Sequence, residues 1–325
     1  MRTNMKKILL SVLSLAVFLV LIGCKRSETS SPTEKEGKKF RIALVMKSLA
    51  NEFFLTMENG AKAHQKANSD KYDLIANGIK DELDVSRQIE IVEQMIAQKV
   101  DAIVIAPADS KALIPVCKKA IQAGIVIINI DNKFDDEVLQ QNKITIPFVG
   151  PNNRVGALKV AEYVAKRLKP GDKVAIIEGA PNAYNAVQRK LGFTDAIKMA
   201  KLNLVSSQSG YWETDKANKV ASAIINEHPD LKAIFCANDS MAIGAVTALR
   251  DAGKLGQVLV AGYDNISAAQ QLLKEGKIIA TADQHADKLA VYGIEYALQI
   301  LKEKTTPTDM ETPVDLITAE KLTNK

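Results

Sequence analysis

From residue 40 to residue 302 the chain alternates short runs of branched apolar residues with longer stretches of helical periodicity. That alternation constrains the fold more tightly than any other feature. Strand-like runs fall at 40–46, 72–76, 102–106, 125–130, 173–178, 203–207, 233–237, 258–263 and 278–282. Helical stretches fall at 51–68, 84–98, 110–123, 152–168, 185–200, 213–227, 240–252, 267–274 and 286–302. In the second of these, Ile89, Val92, Met95 and Ile96 share one face. Gly124 stops the third helix and Pro170-Gly171 the fourth. The run 102–106 is rich in branched residues, which suits a sheet buried on both faces. Strand and helix in strict alternation imply an α/β fold of doubly wound parallel sheets with right-handed crossovers. One sheet holding every strand would be crowded. Two sheets of about five or six strands each are expected, with a seam near 148–152.

The chain begins with a different kind of segment. Lys6 and Lys7 precede an uncharged, mostly apolar run at 8–22, which ends in Leu21-Ile22-Gly23-Cys24. The run is short of the roughly twenty residues a spanning helix needs. It fits a secretory signal, 1–23, and the other reading is a short anchor that stays uncleaved. Leu-Ile-Gly-Cys resembles the lipobox of bacterial lipoproteins. The resemblance implies cleavage before Cys24, lipidation of its sulfur and attachment to a lipid bilayer through several acyl chains. Residues 24–39 then form the lipidated cysteine and a polar tether with no apolar residue after Cys24, too poor in hydrophobic surface to order itself.

Charge and composition exclude several classes. The formal net charge of +5 includes Arg2, Lys6 and Lys7, and no basic stripe is concentrated elsewhere, so no case for nucleic acid arises. His64, His228 and His285 are scattered, without metal-ligand spacing. Cys117 and Cys236 read as small buried hydrophobes, or as a disulfide with no spacing signature to support it. No Gly-x-Gly-x-x-Gly follows the first strand, and neither a Gly-x-Ser-x-Gly elbow nor a phosphate loop is present. With no obvious nucleophile–base pair and no cofactor implied, binding is favoured over catalysis.

The polar and aromatic residues that follow the apolar runs make a coherent set. In open α/β sheets ligands sit beyond the carboxyl ends of the strands. Phe53 and Phe54 open the first helix. Successive helical positions point about 100° apart, so both cannot serve one core stripe, and at least one is free to cover the C–H face of a sugar. Asp131 and Asp264 each follow a strand directly, as acceptors for hydroxyl groups or as helix N-caps. Arg189 stands in the first turn of its helix, as a planar fork for two oxygens or as a surface residue. Trp212, the only tryptophan, sits in the polar stretch Gly210-Tyr211-Trp212-Glu213, as a recognition ring or as a cover for the core. Asn238 is assigned to ligand and Asp239 to the cap of the following helix, while Asn51 and Gln284 add amide groups that both donate and accept.

Together these residues resemble the type I periplasmic sugar-binding proteins, with the allose-binding branch nearest and the ribose-binding branch next. The likeness covers about residues 40–314. It is carried in order by Val45-Met46-Lys47-Ser48-Leu49-Ala50-Asn51-Glu52-Phe53-Phe54, Ala106-Pro107, Asn129-Ile130-Asp131, Val174-Ala175-Ile176-Ile177-Glu178-Gly179, Cys236-Ala237-Asn238-Asp239, Gly262-Tyr263-Asp264 and Thr281-Ala282-Asp283-Gln284. It implies two lobes joined by a three-crossing hinge, the first from 40–150 with 285–314 and the second from 151–284 with 315–325. It also implies that Asn51, Phe53, Phe54, Asp131, Arg189, Trp212, Asn238, Asp264 and Gln284 touch a monosaccharide, with Lys47 matching a lysine of the allose branch. The implied partners are the membrane permease subunits of an ABC importer, with the binding protein itself a monomer. Asn132 stands where the ribose branch has arginine, Ala106 where it has asparagine, and Asn51-Glu52 replaces the commoner Asn-Pro. The first two lean towards a hexose such as allose. The same fold also serves repressor effector domains and sensors that present a sugar, nucleoside or signalling furanose to a receptor. An export signal and the lack of a helix-turn-helix argue against the repressor.

Overall fold

The computed structural model describes residues 39–323, so the apolar leader, Cys24 and the polar stretch as far as residue 38 lie outside the described residues. The first strand, β1 (Phe40–Ser48), is buried from Ile42 onward. Asn51 caps the helix that follows, α1 (Glu52–Ala67), its side chain accepting from the Phe53 N–H at 3.1 Å. Then come β2 (Tyr72–Ile79), α2 (Val85–Ala97), β3 (Ala102–Ile105), α3 (Ile114–Gln122), β4 (Val126–Ile130), α4 (Asp136–Gln141) and β5 (Phe148–Pro151). The next run is α5 (Asn153–Ala165), β6 (Lys173–Glu178), α6 (Tyr184–Met199), β7 (Asn203–Ser209), α7 (Thr214–Glu227), β8 (Ala233–Cys236), α8 (Asp239–Asp251), β9 (Leu259–Ala261), α9 (Ser267–Lys274) and β10 (Thr281–Asp283). The described chain ends with α10 (Ala286–Glu303), β11 (Met310–Thr312), β12 (Asp315–Ile317) and α11 (Ala319–Thr323).

The strands form a six-stranded sheet ordered β11-β5-β4-β3-β1-β2 and a four-stranded sheet ordered β7-β6-β8-β9, both parallel throughout. β10 and β12 pair separately as an antiparallel ribbon. Alternation along the first sheet sorts its core. Ala43, Val45, Ile103 and Ile105 pack with Val92 and Met95 of α2 and Cys117 of α3. Ile42, Leu44, Met46, Val104 and Ile128 face the other way, into the cluster that includes Met57 of α1 and Leu289 of α10. Helix α10 thus returns to the first sheet late in the chain. After β11 pairs with β5, the chain leaves again for β12.

The structure corrects several expectations. The two large sheets have six and four strands, where five or six each were expected. Helix α3 starts at Ile114 because residues 109–113 form turns: the Asp109 carboxylate accepts from the Lys111 and Ala112 N–H groups at 2.7 and 2.8 Å. Pro115 then occupies the first helical turn, where its missing N–H costs nothing. The strand expected at 278–282 is hydrogen-bonded as a strand only from Thr281, with one isolated bridge from Ala280 to Ala261 before it. On α2 the most buried apolar residues are Ile91, Val92 and Met95, with Gln88 beside them. Cys117 and Cys236 are buried free thiols, and burial pushes the Cys117 thiol up to about 12.

Candidate functional site

A small cavity, largely filled by its own side chains, lies at the carboxyl ends of the strands of both sheets. All ten residues singled out from the sequence line it, together with Glu82 and Asn185.

Lys47 reaches the cavity through a break in strand pairing. Met46 pairs with Gly78 and Ser48 with Ile79, which leaves Lys47 as an extra residue in β1, a bulge of the kind that re-aims a side chain. Its ammonium meets Asp131 Oδ2 at 3.0 Å with both side chains buried. The ammonium also sits 5.4 Å from the Phe54 ring centroid and 5.6 Å from that of Trp212. Asp131 is held in a three-residue turn, since the Asn132 N–H reaches back to Ile130 O at 2.7 Å and Asp131 takes φ 61°. Asn129 fixes that turn from below: its amide donates to Asn132 O at 2.8 Å and accepts from the Phe134 N–H at 2.8 Å. Asp131 therefore caps no helix; Asp135 caps α4.

Arg189 lies in the second turn of α6 and is 2% exposed, a buried cation where a surface residue was the alternative. Its Nε donates to Asn153 Oδ1 at 2.7 Å, and its Nη1 to Ala237 O at 2.9 Å and Asp264 Oδ1 at 3.4 Å. The guanidinium lies 3.8 Å from the Tyr263 ring centroid. Asp264 also accepts from Gln284 Nε2 at 2.7 Å and adopts φ 121°, an uncommon backbone for a residue with a side chain. Burial holds its carboxyl well above the ordinary carboxylate range, opposed by Arg189. Of the ten non-glycine residues with positive φ among the described residues, three line the cavity: Asp131, Trp212 (φ 70°) and Asp264.

The aromatic wall has three members. Phe53 and Phe54 meet edge to face, with centroids 5.1 Å apart, and both line the cavity. Trp212 follows Tyr211 in a left-handed turn after β7, and its indole presses on Gly179, where a Cβ would lie 2.1 Å from Cη2. The ring both borders the cavity and belongs to the core.

Asn238 caps α8, accepting from the Met241 N–H at 2.9 Å, and donates to Trp212 O at 3.2 Å. The capping role expected of Asp239 is thus Asn238's. Asp239 is fully buried instead and orders the next loop, accepting from the Ile266 N–H at 3.0 Å and Thr281 Oγ1 at 2.8 Å. Burial raises its carboxyl to about 6. Glu82, which sequence reasoning passed over, accepts from Asn51 Nδ2 at 3.0 Å, and burial lifts its carboxyl to about 7 against the pull of Lys47. Its signal was the same as for the others, a polar residue beyond a strand end, but the strand was expected to stop at residue 76 and runs to Ile79. Asn185 hides at the start of α6, its N–H on Asn132 Oδ1 at 3.2 Å.

Besides Asp131 Oδ2, which meets only the Lys47 ammonium, four buried polar atoms of the lining have no hydrogen-bond partner among the described residues: Glu82 Oε2, Asn185 Oδ1, Arg189 Nη2 and Gln284 Oε1. Unpaired groups of this kind are costly. A compact polyol would supply both donors and acceptors to them.

Residues 42–305 match the periplasmic binding protein domain family. The chain belongs to that family. Among its relatives is the D-ribose/D-allose-binding protein of Pseudomonas aeruginosa, 60% identical over 306 residues, which are 93% of this chain and 96% of that one. Among solved structures of the family, an ABC transporter solute-binding protein from Burkholderia multivorans, with an unknown ligand built as α-D-erythrofuranose, superposes with a TM-score of 0.85 at 59% identity, covering 87% of this chain and 100% of that chain. A periplasmic solute-binding protein of an ABC transporter from Actinobacillus succinogenes, with bound D-allose, gives 0.84 at 38% identity, covering 88% and 100%.

Proposed function

We propose that this protein is the substrate-binding component of an ABC-type sugar importer and that it grips one monosaccharide, D-allose first and D-ribose next, in the cavity between its two sheets. The single observation that carries this reading is the set of four unpartnered buried polar atoms beside three aromatic rings. Asp131 and Asp264 accept from hydroxyls, Arg189 Nη2 and Lys47 donate to ring or hydroxyl oxygens, and Phe53, Phe54 and Trp212 cover the C–H faces. Asn51 and Asn238 are spent partly on helix caps, so their share is to hold Glu82 and the Trp212 turn as much as to touch the sugar. Relatives named for D-ribose and D-allose, and a neighbour with bound D-allose, support the ligand class.

In this reading residues 40–150 with 285–314 form one lobe and 151–284 with 315–325 the other, and the three chain passages between them form the hinge. Ligand binds the shut form better, and that difference in affinity sets how far the population moves. The sugar is handed on unchanged to the membrane permease by a monomer tethered through acylated Cys24.

A thermal-shift panel of aldohexoses, pentoses, ketohexoses and nucleosides, followed by calorimetry, tests the reading. D-Allose and D-ribose should raise the melting point, by about 2.7 kcal/mol of added stability at a hundredfold excess over Kd. A panel with no shift and no heat from any monosaccharide would overturn it. For the anchor, Cys24→Ser should move the protein from the membrane fraction to the soluble one and abolish labelling by a fatty-acid analogue.

A further inference from the structure

Helix α9 cannot cap itself. Its N-cap position is Ile266, whose side chain offers no acceptor, and no side chain within its own loop bonds the first-turn amides. The Ser267 N–H instead donates to Glu52 Oε1 at 2.7 Å, across 215 positions of sequence. Glu52 opens α1, beside the first sheet, while α9 follows β9 of the second. Glu52 lies outside the lining of the sugar cavity, next to Phe53, which is inside it.

We infer that Glu52 is a closure latch, a carboxylate on one lobe that caps a helix of the other only when the cleft is shut. The inference rests on the two-lobe sugar-binding reading above. An N-terminal helix amide attracts an anion through both its free N–H and the helix dipole. In the open form the Ser267 N–H and the Glu52 carboxylate return to water, so the contact favours the shut form without touching ligand.

Two substitutions remove the contact from opposite ends. Glu52→Ala deletes the acceptor. Ser267→Pro deletes the donor at the first helical position, where proline is favoured, and Ile266 already has the extended backbone (φ −68°, ψ 157°) that a following proline requires. Each alone should weaken monosaccharide affinity about fivefold, chiefly through a faster off-rate. The double variant should be no weaker than either single one, because the same contact is lost. Glu52→Gln keeps an acceptor and should lie between wild type and Glu52→Ala. Small-angle scattering on ligand-free protein gives a second arm, in which both variants shift the ensemble towards a larger radius of gyration. Multiplicative losses in the double variant, or single variants matching wild type in both affinity and scattering, would overturn the latch. Should no monosaccharide bind wild type, the functional reading fails, and the scattering arm still decides the latch.

Discussion

Glu82 is 6% exposed and sits between the Asn51 amide and the Lys47–Asp131 pair, with Glu213 contributing more distantly. Because burial raises its carboxyl from the ordinary 4.5 to about 7, the folded protein keeps a proton that the unfolded chain gives up across that interval. Stability attributable to this group is therefore intact below about 4.5, declines as pH rises through the interval, and levels off above about 7, for a total on the order of 3 kcal/mol. Glu82→Gln should flatten thermal stability across that window and raise it at pH 8. Melting curves at half-unit pH steps check this. Arg189 makes the opposite case. Its three bonds to Asn153, Ala237 and Asp264 need the planar fork, so Arg189→Lys should cost about 2 kcal/mol or more of sugar binding by calorimetry. At this scale the sequence showed which residue types follow each strand, and the structure brings the ten singled out to one cavity. It misassigned the Asn238-Asp239 pair, because either side chain can cap a helix. What decides between them is the Asp239 contact with Thr281, forty-two positions away.

Among the elements, α5 and α6 pack so closely that glycine is required at their crossing. A Cβ on Gly192 would lie 2.3 Å from Arg154 O and 2.9 Å from Leu158 N. Alanine is the better helix former by about 1 kcal/mol, yet the atoms it would meet are backbone and cannot swing aside. Gly192→Ala should therefore lower stability by about 1–3 kcal/mol, seen as a drop in melting temperature. The strongly periodic elements were legible: α9 was bounded to the residue, and β6 likewise. The three-residue strands β11 and β12 were not, because three residues carry no period and their pairing is set by β5 and β10 far upstream. The start of α3 moved because Asp109, in the turn before the helix, claims two amides for itself.

Over the whole molecule, five buried ionisable groups converge where the two sheets face each other: Lys47, Glu82, Asp131, Arg189 and Asp264. Such pairs seldom raise stability relative to apolar packing, and clusters of them mark functional sites more often than structural ones. Further contacts join the two sheets' loops at the rim. Asn182 donates to Asp109 at 2.7 Å, and the Tyr184 N–H to Ser110 Oγ at 2.9 Å. Ligand should therefore compact the protein, and scattering profiles with and without D-allose should show a smaller radius of gyration in its presence. The two large parallel sheets followed from alternation and chain length, but the antiparallel β10–β12 ribbon did not. The unequal strand counts did not, since they depend on the late return of α10 and β11 to the first sheet.

The Trp212 indole is the chain's sole tryptophan, and it is wedged between Gly179, Lys47 and Arg189 at the cavity wall. Nature has thus supplied a single-site optical probe. Emission excited at the red edge of indole absorbance comes from this one ring, so a titration read at one wavelength reports occupancy without any label, and rapid mixing would follow loading in real time.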